Sequence, residues 1–271
     1  MFNKVLEDLR RKPVEKKIRP EIEDYFTSLD TKKRYFREVI AKLKVNLENE
    51  KSREPLFHCQ DYQIHEKSYY KSGNGAEIIN YPNLGSDKYF ADNIFLRIGI
   101  LEDLKKADDF LRINSEGELC LIVKSGYRPL HFQSICKKGV ESQNRSENAK
   151  PAEELFSDPK IYSPHATGAA FDIEIWEIKQ NSILQTKFSN REKTKGSFFI
   201  ETFRNLDSKN EEIRKNRRLL CNLLATEAVL GKNHFIAHPS EYWHFGRNER
   251  LSAFFAEDEK HEIYYDIVHN F

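Results

Sequence analysis

The sequence predicts an α+β protein: a small, mostly antiparallel sheet flanked by helices, preceded by a helical extension at the N-terminus. Three patterns carry that expectation. Ile100, Leu101, Leu104, Ala107 and Leu111 recur at the spacing that lines one face of a helix. The continuous apolar run LCLIV at 119–123 reads as a buried strand, and the turn-forming SGYRP at 125–129 ends it. FDIEIW at 171–176 alternates, with Phe171, Ile173 and Ile175 on one side and Asp172, Glu174 and Trp176 on the other, as a half-buried strand should. Asp172 therefore points away from the apolar face.

The other elements follow in order. Residues 1–55 are rich in Lys, Arg and Glu, are punctuated by Pro13, Pro20 and Pro55, and form the extension; residues 56–271 form the main domain. Within the extension Tyr35, Val39, Leu43 and Leu47 recur every four residues, which lays an apolar stripe along a helix docked on the main domain rather than offered to a partner. Residues 71–93 have the Gly, Asn, Pro and Asp density of loops. Residues 177–197 carry no sustained period and read as a loop or an irregular hairpin. Leu219, Leu220, Leu223 and Leu224 mark a buried helix with Gly231 as its stop. A last strand near EYWHF at 241–245 completes the order of elements that gives the α+β class.

Composition narrows the function. The chain has 271 residues, 39% hydrophobic and 12% aromatic, enough for one large domain with an appendage and a core of useful size. Lys and Arg total 44 against 43 acids, a formal charge of +1, so no global field draws in nucleic acid or anionic lipid. Cys59, Cys120, Cys136 and Cys221 are scattered and form no CxxC pair, which implies reduced thiols. The N-terminus lacks the apolar run of a signal peptide, and no stretch of 18 apolar residues occurs. A cytoplasmic location without membrane insertion is the expectation, a specialised export route aside.

The chemistry concentrates in two stretches. SPHATGAAFD at 163–172 sets His165 and Asp172 seven residues apart, with Gly168, Ala169 and Ala170 keeping the intervening turn uncrowded. EYWHF adds Glu241 and His244. A catalytic zinc site needs three protein ligands, an open position for water and a base, and these four residues supply that set. Glu241 and His244 are three apart and would project to opposite sides of a regular strand, so a bend must begin the segment if both serve one metal; Pro239, just upstream, favours one. Glu174 shares a strand face with Asp172 and is the rival carboxylate. His234 and His238 read as surface or packing residues, His58, His65 and His131 as structural, and Gly73 with Gly75 makes no phosphate-binding fingerprint.

SGYRP, SPHATGAAFD and EYWHF, in that order, resemble the three signatures of the zinc D-alanyl-D-alanine peptidases. The second can be written SxHxxGxAxD and is matched here at Ser163, His165, Gly168, Ala170 and Asp172. NRRLLCNLLATEAVLG at 216–231 and ADNIF at 91–95 resemble segments of the dipeptidase branch. The resemblance spans roughly residues 80–250 and leaves the first 70 and last 20 without a counterpart. It implies Zn²⁺ on His165, Asp172 and His244, Glu241 as the base, and Arg128 stabilising the oxyanion. Ser163 is a candidate for orienting substrate. Physical chemistry supports these roles, since a carboxylate beside a zinc-bound water can take and return a proton, and a permanently charged guanidinium can offset a developing oxyanion.

One departure bears on substrate. The dipeptidase branch carries a Gly-Thr-x-Phe-Asp element whose acid holds the dipeptide's free amino group, whereas the nearest stretch here is GSFFIET at 196–202, with Glu201 in a shifted register. The implied activity is hydrolysis of a D-alanyl-D-alanine bond in a dipeptide or a peptidoglycan fragment. The alternatives are a D,D-carboxypeptidase on longer stem peptides, and a binding protein that keeps the zinc fold without turnover.

Overall fold

The computed structural model of the chain describes residues 2–14, 30–71, 88–141, 160–184, 211–238, 241–256 and 261–268. Their elements are α1 (Lys4–Arg11), α2 (Asp30–Ala41), β1 (Leu56–His58), β2 (His65–Glu66), α3 (Lys88–Asp92), β3 (Phe95–Arg97), α4 (Ile98–Asn114), β4 (Leu119–Ser125), α5 (Leu130–Glu141), β5 (Ala170–Glu177), β6 (Ser182–Ile183), α6 (Glu211–Leu224), α7 (Glu227–Leu230), β7 (Ile236–Ala237), β8 (His244–Gly246) and α8 (Arg250–Phe255). The architecture is α+β. One sheet has the order β2-β4-β5-β8-β7, with β6 also paired to β5, and β1 and β3 form a separate ribbon. The β2·β4 pairing is parallel and the other pairings of the main sheet are antiparallel.

The apolar halves of the strand patterns meet the apolar halves of the helix patterns. Leu119, Leu121 and Val123 of β4, Phe171, Ile173 and Ile175 of β5, and Phe245 of β8 share one core with all five predicted residues of α4. Leu219, Leu220, Leu223 and Leu224 of α6 belong to the same core. So does α1, through Leu6 and Leu9. Asn3 caps α1, its side chain accepting from Leu6 N at 3.0 Å. Buried Arg10 donates to Glu212 at 2.6 Å and to Asn216 at 2.9 Å, while Asn222 donates to the carbonyls of Leu9 and Lys12 at 2.8 and 3.0 Å. The first helix is thus tied to α6 by polar contacts at the edge of a shared apolar interface.

The structure departs from the sequence expectation in several places. The apolar stripe through Tyr35, Val39, Leu43 and Leu47 does not lie on one helix. α2 stops at Ala41, and Lys42 and Leu43 bond back to the carbonyls of Val39 and Ile40 in a tight turn. Tyr35 is 63% exposed and Leu47 59%, whereas Ile40 is buried and Phe36 packs against Phe254. Gly231 ends α7 rather than α6: Thr226 starts a new helical turn by accepting from Ala228 N at 3.3 Å, and Gly231, at φ +57°, closes it. Residues 177–184 do form a hairpin, with Trp176 opposite Ile183, while residues 185–197 lie outside those described.

β5 is buried on both faces rather than half-buried, with Asp172 and Glu174 enclosed along with the apolar residues. The cover is polar. The Tyr242 hydroxyl donates to Glu174 at 3.2 Å. Burial first, and then the charges of Glu174 and Asp172, push the Tyr69 phenol well above its ordinary range. Asp172 and Glu174 of β5 therefore face packed polar side chains instead of water. Among the described residues no helix is long and apolar enough to cross a membrane.

Candidate metal centre

His165 sits in a 3₁₀ turn, Pro164–Thr167, which Gly168 closes at φ +73°. Two constraints demand glycine there. The backbone is left-handed, and a Cβ would lie 2.3 Å from Leu56 Cδ2. The imidazole is oriented from behind, because His165 Nδ1 lies 2.8 Å from the Gly126 carbonyl oxygen. A carbonyl only accepts, so Nδ1 carries the hydrogen and Nε2 presents its lone pair toward Asp172, with Oδ2 at 3.7 Å.

The sheet brings up the second histidine. Asp172 of β5 is opposite His244 of β8 in the antiparallel register, and Oδ1 lies 3.0 Å from His244 Nδ1. The bend that the sequence requires is a turn across 241–244, in which the His244 N–H donates to the Glu241 carbonyl at 3.0 Å. It brings Glu241 Oε2 to 3.9 Å from His244 Nδ1, with the Glu241 side chain 32% exposed. Pro239 lies outside the described residues.

The donor set fits a tetrahedral cation. Ligand atoms ~2.0–2.2 Å from a tetrahedral zinc lie about 3.3–3.6 Å from one another. Here the donor atoms of His165, Asp172 and His244 all lie within 4.8 Å of one another, with His244 Nδ1 3.0 Å from one Asp172 oxygen and His165 Nε2 3.7 Å from the other, close to the required spacing. Burial, and then the Arg128 charge, hold the His165 pKa well below its usual value, so that ring is a neutral ligand. Burial alone would raise Asp172, but His165, the hydrogen bond from His244 and Arg128 outweigh it and bring the carboxyl to about 2. A permanent carboxylate beside a neutral imidazole is the ligand chemistry that a divalent cation requires.

Arg128 follows the bulge at which the β4·β5 register shifts between Val123 and Ser125. Its backbone N–H donates to the His165 carbonyl at 3.1 Å, and its guanidinium, buried, donates to the Tyr70 hydroxyl at 2.7 Å. Ser163 is fully buried beside the turn, and its hydroxyl has no hydrogen-bond partner among the described residues. Glu201, with the rest of GSFFIET, lies outside them. The rival carboxylate Glu174 is engaged by Tyr242 and is not one of the converging donors. His238 packs edge-on to His244 at 5.4 Å, His234 bonds the Gly231 carbonyl in a local turn, and His58 pairs with Glu66 at 2.9 Å.

Sequence reasoning did not find Tyr70, which holds the guanidinium, or Tyr242, which anchors the 241–244 turn on Glu174 with Arg217 Cζ 4.3 Å from its ring centroid. No motif marks Tyr70. Tyr242 sits inside EYWHF, and its role becomes visible only once β5 is seen to be enclosed.

Fold and site together define an α+β protein with a buried candidate metal centre of two histidines and one aspartate. No model of a known protein family matches the chain. A D-alanyl-D-alanine dipeptidase from Synechocystis sp. is 24% identical over 211 residues, covering 64% of this chain and 77% of its own length.

Proposed function

We propose that the protein is a zinc peptidase that hydrolyses a D-alanyl-D-alanine type bond in a dipeptide. The observation that carries this reading is the convergence of His165, Asp172 and His244 donor atoms within 4.8 Å, with the Glu241 carboxylate at their edge. The similarity to a D-alanyl-D-alanine dipeptidase supports the same class of substrate. Two imidazole nitrogens and one carboxylate oxygen suit zinc over calcium or magnesium, which take all-oxygen sets.

His165 Nε2, His244 Nδ1 and an Asp172 oxygen would hold the ion. Zinc bound there would lower the pKa of a coordinated water toward about 7 and polarise the scissile carbonyl. Glu241, half exposed beside His244, takes the proton of the attacking water and returns it to the leaving amine as the C–N bond breaks, so the step leaves no net proton on the protein. Arg128 is permanently charged, is held by Tyr70 and is linked through its backbone to the His165 turn; it offsets the negative charge that builds on the attacked oxygen. Ser163, buried beside the His165 turn with its hydroxyl unpartnered among the described residues, is a further candidate for orienting substrate.

The test is metal content followed by product release. The purified protein should take up one zinc and then free D-Ala from D-Ala-D-Ala. Failure to bind zinc would overturn the metal assignment, and zinc binding without release of D-Ala would favour a protein that keeps the site without turnover.

A further inference from the structure

We infer that Arg97 and the chain segments around Glu54 and 265–268 form a clamp that sets His165 for metal binding, with Arg97 and the backbone N–H of Val268 as its positioning groups. The inference rests on the metal-site reading above.

A four-residue 3₁₀ turn satisfies few of its own backbone groups, and buried carbonyls need donors from somewhere. Within the turn, Ala166 N donates to Ser163 O, Thr167 Oγ1 to Pro164 O and Gly168 N to His165 O. The remaining donors come from outside. Val268 N donates to Ala166 O at 2.9 Å, Arg97 Nε to Thr167 O at 2.9 Å and Arg97 N to Gly168 O at 3.0 Å. Every carbonyl from 163 to 168 is thereby engaged, and Arg97 and Val268 supply the bonds on the far side of His165.

Arg97 is the hub. Its guanidinium also donates to the Glu54 carbonyl and, at 3.4 Å, to the Asp266 carbonyl, and it lies over the Tyr265 ring, whose hydroxyl in turn bonds Glu54. One buried side chain thus joins the turn to a piece of chain before β1 and to another near the C-terminus. Val268 makes a second bridge. While its N–H reaches the His165 turn, its carbonyl accepts from the Tyr127 hydroxyl at 3.2 Å. Tyr127 belongs to the same loop as Gly126 and Arg128, which hold the His165 ring and backbone. The C-terminal segment therefore fixes the spacing between the two loops that define the ligand's position. Residues 54, 265, 266 and 268 lie outside the stretch over which the family resemblance runs. The clamp gives them a role at the metal site.

A clamp that orients a ligand should change metal affinity more than it changes the stability of the zinc-free fold. The full chain is prepared with Val268→Pro, which removes the N–H donor and fixes φ, with Val268→Ala, which keeps the donor while shortening the side chain, and with Arg97→Lys, which keeps the charge but loses the planar fork. Zinc affinity is read by competition with a chromophoric chelator, and the zinc-free proteins are melted alongside. Val268→Pro and Arg97→Lys should weaken zinc binding roughly 10- to 100-fold, as for other partners that orient ligands. Val268→Ala should stay within about twofold. If Arg97→Lys does not fold, Val268→Pro decides. Wild-type affinity in a folded Val268→Pro overturns the clamp, as does a loss no larger than that of Val268→Ala. His165→Ala is the separate control: retained zinc there would sink the metal assignment itself and leave the clamp's bonds as plain structure.

Discussion

Asp172 and His244 stand directly opposite each other where β5 pairs with β8, and their side chains meet with Oδ1 3.0 Å from Nδ1. A ladder position fixes this contact before any metal arrives, so the zinc-free protein holds a buried carboxylate against a buried imidazole. Burial lowers His244, but the hydrogen bond and charge of Asp172, helped by Glu241, outweigh it and raise the ring above its ordinary value. Asp172 is held down at about 2.

These shifts give a pH prediction for the zinc-free protein. The contribution of Asp172 is complete above the ordinary carboxyl value of roughly 3.9 and is lost as pH falls toward 2. That of His244 is complete below the ordinary value of roughly 6.5 and is lost as pH rises through its raised folded value. Asp172→Asn should therefore lower Tm most between about pH 4 and 6.5, and less at pH 3 and pH 8. A loss that is greatest at pH 8 would contradict the pairing of the Asp172 carboxylate with a protonated His244.

Glu241 is assigned to proton transfer and Arg128 to the oxyanion, so neither substitution should empty the metal site. Glu241→Gln should keep zinc and lose roughly 10²- to 10⁴-fold in kcat. Arg128→Ala should keep zinc and lose roughly 10²- to 10³-fold. Turnover near wild type in either variant, with zinc bound, removes that residue from the mechanism.

How much of this was legible in the sequence depends on the range of the interaction. His165, Asp172 and His244 could be read as a set because two of them share one short motif, the third sits in a short aromatic one, and the motifs together resemble a known family. Ile173 and Leu104 announce their burial through local period, and Leu121 through a continuous apolar run. Period misled where the chain broke its own regularity: the spacing of Tyr35 to Leu47 survives, but the helix beneath it ends at Ala41. It misled again at β5, because alternation says which side of a strand is polar but not whether that side is wet; Glu174 is buried because Tyr242 arrives from far along the chain. Arg97, Tyr70 and Val268 left no local trace, since their work is done entirely across the fold.

The Tyr242 hydroxyl supplies a donor to a fully buried carboxylate, and its loss should be expensive. Tyr242→Phe keeps the ring under Arg217 and removes only that donor. A destabilisation of roughly 1–3 kcal/mol in urea is expected. A change inside the error of the measurement would mean that Glu174 is satisfied without Tyr242.

Gly168 combines a left-handed backbone with a blocked Cβ position. Gly168→Ala should cost about 1–2 kcal/mol for the backbone and a further ~1–3 kcal/mol for the collision with Leu56. Adding Leu56→Ala removes the collision but not the backbone strain, so the double variant should bind zinc better than Gly168→Ala alone. Additive losses in the double-mutant cycle would show that the contact with Leu56 does not set the turn.

Substrate size separates the dipeptidase reading from the carboxypeptidase one. A dipeptide presents a free ammonium close to the reacting bond, and enclosing that charge without an anionic partner is costly. The buried carboxylates of Asp172 and Glu174 are both engaged, Asp172 by the histidines and Glu174 by Tyr242. In the dipeptidase reading the ammonium must then meet another acid, and Glu201, the nearest acid to the position of the dipeptidase-branch element despite its shifted register, is the candidate. Glu201→Ala should raise KM for D-Ala-D-Ala while leaving zinc in place. N-acetylation of the dipeptide abolishes the ammonium's charge and adds only a small group, so kcat/KM should fall sharply for the acetylated compound if the ammonium is recognised. An enzyme built for stem peptides would be indifferent to Glu201 and would cleave the acetylated or extended substrate faster. Comparing kcat/KM for the free and acetylated dipeptides on wild type and Glu201→Ala therefore decides the matter. A preference for the acetylated form that Glu201→Ala leaves unchanged would end the dipeptidase assignment while keeping the zinc chemistry.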